Sequence, residues 1–284
     1  MTKILVDTDL GGDVDDAIAL SLALNSPEID IVGITTVYSA AEWRAGIIRK
    51  MLEAYRRTDI EISLGAEKPL IGRWSEDRIT ARQSWPEGTI RTAACDYIID
   101  QSEKHDDLCI LAIGPLTNVA LALAKAPWIA EYTRIVLMGG CITKAQPEWN
   151  IKCDPEAARI VFESGIPITM IGLDVTNRCS FNSGHIERIK AANNERTDLL
   201  HEMIQKFIRD FKYLPILHDP LALASLIWPD ILTFEEKNIL IETKGELTRG
   251  ITVDSSRNGE PNAMAAVSVK PEEFIELLLE RIVK

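Results

Sequence analysis

The chain has 284 residues, 46% of them hydrophobic, which is enough for a sizeable core in one large α/β domain or two small ones. With 31 basic and 43 acidic side chains, the formal net charge of -12 argues against nucleic acid and anionic membrane surfaces as partners. Five widely spaced cysteines without a CxxC pair suggest neither a disulfide framework nor a zinc site. No signal-peptide profile and no long apolar segment is recognisable, so we expect a soluble, cytoplasmic protein.

Short apolar runs rich in valine and isoleucine alternate with amphipathic stretches. The predicted strands are ILV at 4–6, IDIVGITTV at 29–37, LCILAIG at 108–114, RIVLMGG at 134–140 and ITMIGLDV at 168–175. The predicted crossover helices are DDAIALSLALNS, AAEWRAGIIRKMLEAYRR, LTNVALALAKAP and DPEAARIVFESG. This alternation predicts an α/β fold, a single domain over residues 1–284 whose mostly parallel, open sheet carries helices on both faces.

Two segments stand out from this pattern. The stretch 71–90 is loop-like, and we expect it to be a mobile cover. The helical region 186–212 carries more charge, which suggests a lid or a small subdomain. We predict no domain boundary, because neither a repeat nor a linker-like change of composition is present.

Three polar turns should meet at one edge of the sheet. DTDLGGDVDD follows the first strand, GPLTN follows the strand at 108–113, and HDP lies near residue 218. Ligands of open parallel sheets bind beyond the carboxyl ends of the strands. These turns are therefore the predicted ligand site.

The first turn crowds five aspartates into ten residues: Asp7, Asp9, Asp13, Asp15 and Asp16. Helix capping explains one or two of them, because a helix N-terminus favours negative charge. The others need a positive partner, since close like charges repel. Several carboxylate oxygens without histidine or cysteine nearby favour a hard cation, Ca²⁺ or Mg²⁺, over zinc.

Two interpretations of the aspartate cluster, an EF-hand loop and a phosphotransferase site, fit the sequence less well than a third. An EF-hand loop counted from Asp7 fails because Ile18 stands where a bidentate glutamate is required and because a strand precedes the loop. A phosphotransferase with Asp7 as nucleophile and Mg²⁺ beside it fits ILVDTD, but it leaves the other motifs unexplained.

The third interpretation is a family resemblance. In order from residue 4 to about residue 254, the chain contains DTDLGGDVDDAIAL, GITTV, GPLTNVALAL, MGG followed by EWNIKCDPEAARIVF, GLDVT, HDPLALA and TRGITVD. Together these motifs resemble the inosine–uridine-preferring nucleoside hydrolase family. The resemblance implies one Ca²⁺ at the bottom of a pocket and hydrolysis of the N-glycosidic bond of a ribonucleoside to ribose and free base. It also suggests a homodimer or homotetramer.

The resemblance also implies roles for individual residues. The metal ligands would be Asp9, Asp16, the backbone carbonyl of Thr117, and Asp219. Asp9 would in addition be the general base that activates a Ca²⁺-bound water, and the configuration at the anomeric carbon would invert.

Further residues would contact the substrate. Asp15, Glu148 and Asn150 look like the family's contacts to the ribose hydroxyls. His218 would be a catalytic and substrate-binding residue that protonates or hydrogen-bonds the leaving nitrogen of the base.

The sequence departs from the family pattern on the substrate side. Ser39 and Ala40 replace a Gly-Asn pair, ARQSWPEG replaces a histidine-containing loop near residue 83, and the loop after MGG reads CITKAQP. Two additional residues in the aspartate cluster make Asp13 an alternative ligand. Trp74 and Trp85 would either stack on a base or clamp their loop.

These departures leave a second functional hypothesis open. A non-catalytic, Ca²⁺-dependent binding protein or sensor for a ribosyl ligand would keep the metal site and lose the chemistry. The presence of Asp9 and His218 favours the enzyme.

Overall fold

A nine-stranded sheet forms the centre of the computed structural model, which describes residues 1–74 and 90–284. The strands in these ranges are Thr2–Thr8 (β1), Ile29–Thr36 (β2), Ile62–Leu64 (β3), Ile90–Thr92 (β4), Leu108–Ala112 (β5), Thr133–Met138 (β6), Ile168–Ile171 (β7), Leu232–Lys237 (β8), Ile239–Ile241 (β9), Thr252–Asp254 (β10) and Ala263–Val269 (β11). Their order is β4-β3-β2-β1-β5-β6-β7-β11-β8. All neighbours pair in parallel except β8, which is antiparallel to β11, and β9 and β10 form a separate antiparallel pair.

Helices cover both faces of this sheet. In the described ranges they are Asp15–Leu24 (α1), Ala41–Ala54 (α2), Ala94–Lys104 (α3), Thr117–Lys125 (α4), Trp149–Cys153 (α5), Pro155–Glu163 (α6), Leu173–Thr176 (α7), Ser183–Ala191 (α8), Glu195–Phe211 (α9), His218–Ile227 (α10) and Pro271–Ile282 (α11). One face packs against α1, α2 and α8 to α11, and the other against α3, α4 and α6. The predicted α/β fold with a mostly parallel sheet is confirmed.

The strand β1 shows why the core divides in two. Successive side chains of a strand point to opposite faces, so Ile4 and Val6 pack in one core while Leu5 packs in the other. All three side chains are buried. A strand that is buried on both faces reads as a continuous apolar run, which is how the sequence revealed it.

The expectation that residues 186–212 form a separate lid or subdomain is wrong. Ile189, Leu200 and Ile204 of α8 and α9 are buried in the same core as α1 and α2. Their charged residues cover only the outer face of an amphipathic helix pair.

The central part of the predicted cover at 71–90, including Trp85, lies outside the described residues.

No helix among the described residues has both the length and the apolar character needed to cross a membrane.

Candidate active site

A cavity of about 410 Å³ lies at the carboxyl edge of the sheet, where the predicted turns meet. This volume falls within the range of small-molecule sites. The walls include Asp9 after β1, Ile113 after β5, Met138 at the end of β6 and the first residues of α1 and α10. Of the residues predicted to form the site, the cavity brings together Asp9, Asp15, Asp16, Glu148, Asn150, His218 and Asp219.

Three buried carboxylates meet at the acidic end of this cavity. Oxygen atoms of Asp15, Asp16 and Asp219 lie within 4.8 Å of one another. Burial, and after it repulsion from neighbouring aspartates that include Asp9 and Asp13, raises the pKa of each carboxyl group well above its ordinary value. The hydroxyl of Thr8 donates to Oδ1 of Asp16 and partly counters this effect. Only oxygen donors are present in this group, so its chemistry suits a hard cation.

Arg44 is the buried cation of the site, and the sequence analysis missed it. Its side chain is 1% exposed, lines the cavity, and lowers the pKa of Asp16 against the larger effect of burial. A signal was present in the sequence. Arg44 shares the apolar helical spacing of Ile47, Ile48 and Met51, so it falls on the buried face of α2.

Asp9 and Asp13 line the cavity without joining the three-carboxylate group. Asp13 accepts a hydrogen bond from the backbone N–H of Val14, the residue just before α1, at 2.6 Å. Between them, Gly11 has φ +115, and a Cβ there would lie 2.5 Å from the ring of Trp43. The turn therefore needs glycine at this position.

Asp7 has a structural environment. It is fully buried, is not part of the cavity wall, and accepts hydrogen bonds from Thr35 at 2.6 Å and Asn118 at 2.7 Å. Burial raises its pKa to about 7. This placement contradicts the phosphotransferase hypothesis, in which Asp7 would attack a substrate.

The structure does not place Thr117 on the cavity wall. It lies at the start of α4, and its hydroxyl donates to Oδ2 of Asp154 at 2.7 Å. The cavity is reached instead by Ile113, on the connection between β5 and α4. This hydrogen bond uses the hydroxyl of Thr117, whereas the predicted metal ligand is its backbone carbonyl, so the metal-binding role of that carbonyl stays a prediction.

Glu148 and Asn150 form another part of the wall. Glu148 caps α5 and accepts from the backbone N–H groups of Gly140, Asn150 and Ile151 at 2.9 to 3.1 Å, while burial raises its pKa to about 7. Asn150 donates through Nδ2 to the carbonyls of Ile113 at 3.0 Å and Met138 at 3.1 Å. Its amide oxygen is therefore the atom left to accept a hydrogen bond from a ligand.

His218 begins α10 next to Asp219. Its Nδ1 lies 2.7 Å from the hydroxyl of Thr176, so Nε2 is the ring nitrogen left for the cavity. Burial lowers the pKa of His218 to about 4. The imidazole is consequently uncharged at neutral pH.

Aromatic side chains form part of the cavity wall. Tyr38 and Trp149 are on the wall, with ring centres 6.3 Å apart. Trp74 packs against Tyr38 at 4.6 Å and donates to the carbonyl of Glu67, away from the lining residues. This arrangement corresponds to the clamp alternative for Trp74. Ala40, in place of the family's asparagine, has φ 60 and precedes α2.

Comparison with known proteins agrees with this geometry. The model of the family described as "Inosine-uridine preferring nucleoside hydrolase" matches residues 4–276. A pyrimidine-specific ribonucleoside hydrolase, RihA, of Escherichia coli O7:K1 (strain IAI39 / ExPEC) is 36% identical over 309 residues, covering 98% of this chain and 97% of the relative. The RihA of Salmonella gallinarum is 36% identical with the same coverage.

Solved structures show the same fold. A purine-preferring ribonucleoside hydrolase from Gardnerella vaginalis has a TM-score of 0.87 at 30% identity, covering 99% of this chain and 98% of that one. The plant nucleoside hydrolase PpNRh1 has a TM-score of 0.86 at 27% identity, with 99% of both chains covered. The chain therefore belongs to the inosine-uridine preferring nucleoside hydrolase family, whose members are N-glycosyl hydrolases that cleave ribonucleosides to ribose and a free base.

Proposed function

We propose that the cavity is the nucleoside hydrolase active site and that its acidic end holds Ca²⁺. The observation that carries the proposal is the meeting of Asp15, Asp16 and Asp219 within 4.8 Å. Buried carboxylates at this separation repel one another unless they are protonated or bound to a cation. The family resemblance assigns Asp9, Asp16, the backbone carbonyl of Thr117, and Asp219 as ligands, and the geometry adds Asp15 as a candidate.

Asp9 is the proposed general base. It lies just beyond the end of β1, on the cavity wall beside the acidic group. A Ca²⁺ ion held by these carboxylates would supply positive charge for the sugar hydroxyls and the attacking water. Asp9 removes a proton from that water. At the same time the water oxygen bonds to the anomeric carbon, and the bond between this carbon and the base nitrogen breaks. Attack opposite the leaving base inverts the configuration of the ribose.

Asn150 and Glu148 are proposed to position the ribose. Both are held by the backbone, so each presents a fixed oxygen to the cavity. Asn150 can only accept through this oxygen, which suits a sugar hydroxyl. The carboxylates also place negative charge near the sugar ring, where an oxocarbenium-like transition state develops positive charge.

His218 is proposed to act on the leaving base as an uncharged imidazole. Because burial lowers its pKa to about 4, it is not a protonated acid at rest near neutral pH. With Nδ1 occupied by Thr176, a proton on Nε2 can be donated in a hydrogen bond to the departing nitrogen. Of the two functions that the sequence suggested for His218, full protonation of the leaving nitrogen and hydrogen bonding to it, the proposal keeps the hydrogen bond.

A nucleoside panel tests the proposed function. Purine, pyrimidine and modified ribonucleosides would be incubated with the protein and Ca²⁺, and released ribose would be measured. The names of the relatives include both pyrimidine-specific and purine-preferring enzymes, so the panel must contain both classes. We expect ribose from at least one nucleoside in wild-type protein and its loss in Asp16→Asn. Tight binding of a nucleoside without ribose release would favour the non-catalytic binding protein.

We also propose a cytoplasmic homodimer or homotetramer. The oligomeric state follows from the family resemblance. The location is supported by the five cysteines, none of which belongs to a disulfide in the part of the chain that the structure describes. Light scattering coupled to size-exclusion chromatography would give the number of chains.

A further inference from the structure

Arg44 is a buried charge for which the proposed mechanism has no role. It lies in the first turn of α2, is 1% exposed and lines the cavity. Charged side chains are almost never fully buried unless their hydrogen-bonding groups are paired. The partners of its guanidinium therefore indicate what this residue does.

The hydrogen bonds of Arg44 go to main-chain carbonyls in two different turns. Nε donates to the carbonyl of Ser39 at 2.8 Å. Nη1 donates to the carbonyl of Asp9 and to that of Leu10, the latter at 3.2 Å. The guanidinium also lies 5.3 Å from the ring centre of Tyr38. Arg44 thus links the entry of α2 to the turn that carries Asp9.

The turn after β1 needs such a link because Asp9 follows the last residue of the strand. Beyond that point, Leu10 donates its N–H to the hydroxyl of Thr8 at 3.0 Å, and Gly11 packs on the ring of Trp43. Trp43 and Arg44 are neighbours on α2, so one helix turn supports this loop by both packing and hydrogen bonding. The N–H of Val37 donates to the carbonyl of Thr8 at 3.0 Å and so holds the peptide plane before Asp9. A bound Asp9 carbonyl holds the plane after it, and two held planes together fix the direction of the Cα–Cβ bond between them.

We propose that Arg44 is a positioning residue for Asp9: by binding the carbonyls of Asp9 and Leu10, it fixes the backbone from which the Asp9 side chain projects into the cavity. The inference rests on the proposed function, since it matters for turnover only if Asp9 acts on the attacking water. The buried charge of Arg44 also offsets part of the repulsion within the acidic cluster.

Substitutions of Arg44 separate positioning from folding. Arg44→Met keeps much of the length and removes every donor, whereas Arg44→Lys keeps the charge without the planar fork. Misplacing a catalytic group by about 1 Å lowers rates by about 100-fold, so kcat of Arg44→Met should fall by about 10- to 100-fold. KM should change by less than about threefold, because the ribose contacts remain. Arg44→Lys should restore part of kcat, and Arg44→Gln provides a third variant if Arg44→Met does not fold.

Arg49 offers a matched control on the same helix. It is 7% exposed and donates to the carbonyl of Thr58 at 3.3 Å, and it is not among the cavity-lining residues. Arg49→Met should lower Tm by an amount similar to Arg44→Met and keep kcat within about twofold of wild type. The rise in Tm on adding Ca²⁺ should persist in Arg44→Met, because the side chains of Asp16 and Asp219 are untouched.

The outcomes are distinguishable. Wild-type kcat in folded Arg44 variants contradicts the positioning role, as does an equal loss of kcat in Arg49→Met. Loss of the Ca²⁺-induced rise in Tm in Arg44→Met would mean that Arg44 builds the metal site instead, which also contradicts the inference. If wild-type protein released no ribose from any nucleoside, the proposed function would fail, and this inference would fail with it.

Discussion

The backbone N–H of Asp219 donates a hydrogen bond to Oδ2 of Asp15 at 3.3 Å, which joins the first turn of α10 to the first turn of α1. Two helix N-termini therefore face one buried space. The partial positive charge at each N-terminus favours carboxylates there. Together with Arg44, this convergence explains how the fold tolerates buried aspartates. These positive charges offset the repulsion between the aspartates only partly, because the pKa values of Asp15, Asp16 and Asp219 remain raised.

Stability should depend on pH and on Ca²⁺ together. Because Asp15, Asp16 and Asp219 have higher pKa values folded than unfolded, the folded protein binds more protons between the two values. Stability of the ion-free protein then falls as pH rises through this interval, so Tm should increase on acidification from about pH 7.5 to about pH 5.5.

Ca²⁺ should counteract this loss of stability at higher pH. Since the ion competes with protons for the same oxygens, the increase in Tm that it causes should be large at about pH 7.5 and smaller at about pH 5.5. Differential scanning fluorimetry at both pH values, with and without chelator, measures the effect. If Ca²⁺ raised Tm equally at both pH values, or at neither, the proposed Ca²⁺ site would be contradicted. In Asp16→Asn, Ca²⁺ should raise Tm by less than in wild type.

Asp9→Asn should fold normally and lose most of its turnover, because an amide cannot accept the proton of the attacking water. Losses of about 100- to 10,000-fold are typical when a general base is removed. Asp13→Asn is the matched control, since Asp13 lines the same cavity from the same turn. Steady-state kinetics should show kcat of this control within about threefold of wild type. Comparable losses in both variants would remove Asp9 from the role of base.

His218→Ala should distinguish substrates by their leaving groups. A nucleoside whose base leaves poorly needs a hydrogen-bond donor at its nitrogen, whereas a nitrophenyl riboside does not. We expect kcat/KM to fall much more for the nucleoside. Thr176→Val should show a weaker form of the same pattern, because it frees Nδ1 of His218. Equal losses on both substrates would indicate that His218 positions the ribose or Asp219.

Asp154→Ala should act on stability. The carboxylate of Asp154 accepts from the hydroxyl of Thr117 and the backbone N–H groups of Leu70 and Ala157. Leaving these groups without their acceptor should cost about 2 to 4 kcal/mol in the free energy of unfolding. Thr117→Val loses one of these bonds and should cost about 1 kcal/mol. Urea denaturation measures both. A large loss of Ca²⁺ affinity in Thr117→Val with unchanged stability would contradict this structural role.

The central strands were predictable because their burial on both faces leaves continuous apolar runs, as in β5 and β6. The strand β11 was harder to recognise. Its sequence AMAAVSV is rich in alanine, which has little intrinsic preference for strands, so its conformation depends on pairing with β7 and β8.

Parts of the site depend on contacts between distant segments. Crowded aspartates indicated a cation site because like charges need compensation. The same crowding could not show that Asp7 turns into the sheet while Asp9 faces the cavity. Arg44 was missed because a basic residue in a helix usually lies in solvent, although its apolar neighbours at helical spacing marked the buried face.

The central claim is that buried carboxylates hold a divalent cation on which ribose release depends. The most direct test is to titrate Ca²⁺ into chelator-treated protein and follow, in the same samples, heat of binding and ribose release from the best nucleoside of the panel. We predict that both rise together and saturate at the same ratio of ion to chain, and that Asp219→Asn weakens both. Full ribose release from protein shown to contain no divalent ion would contradict the account.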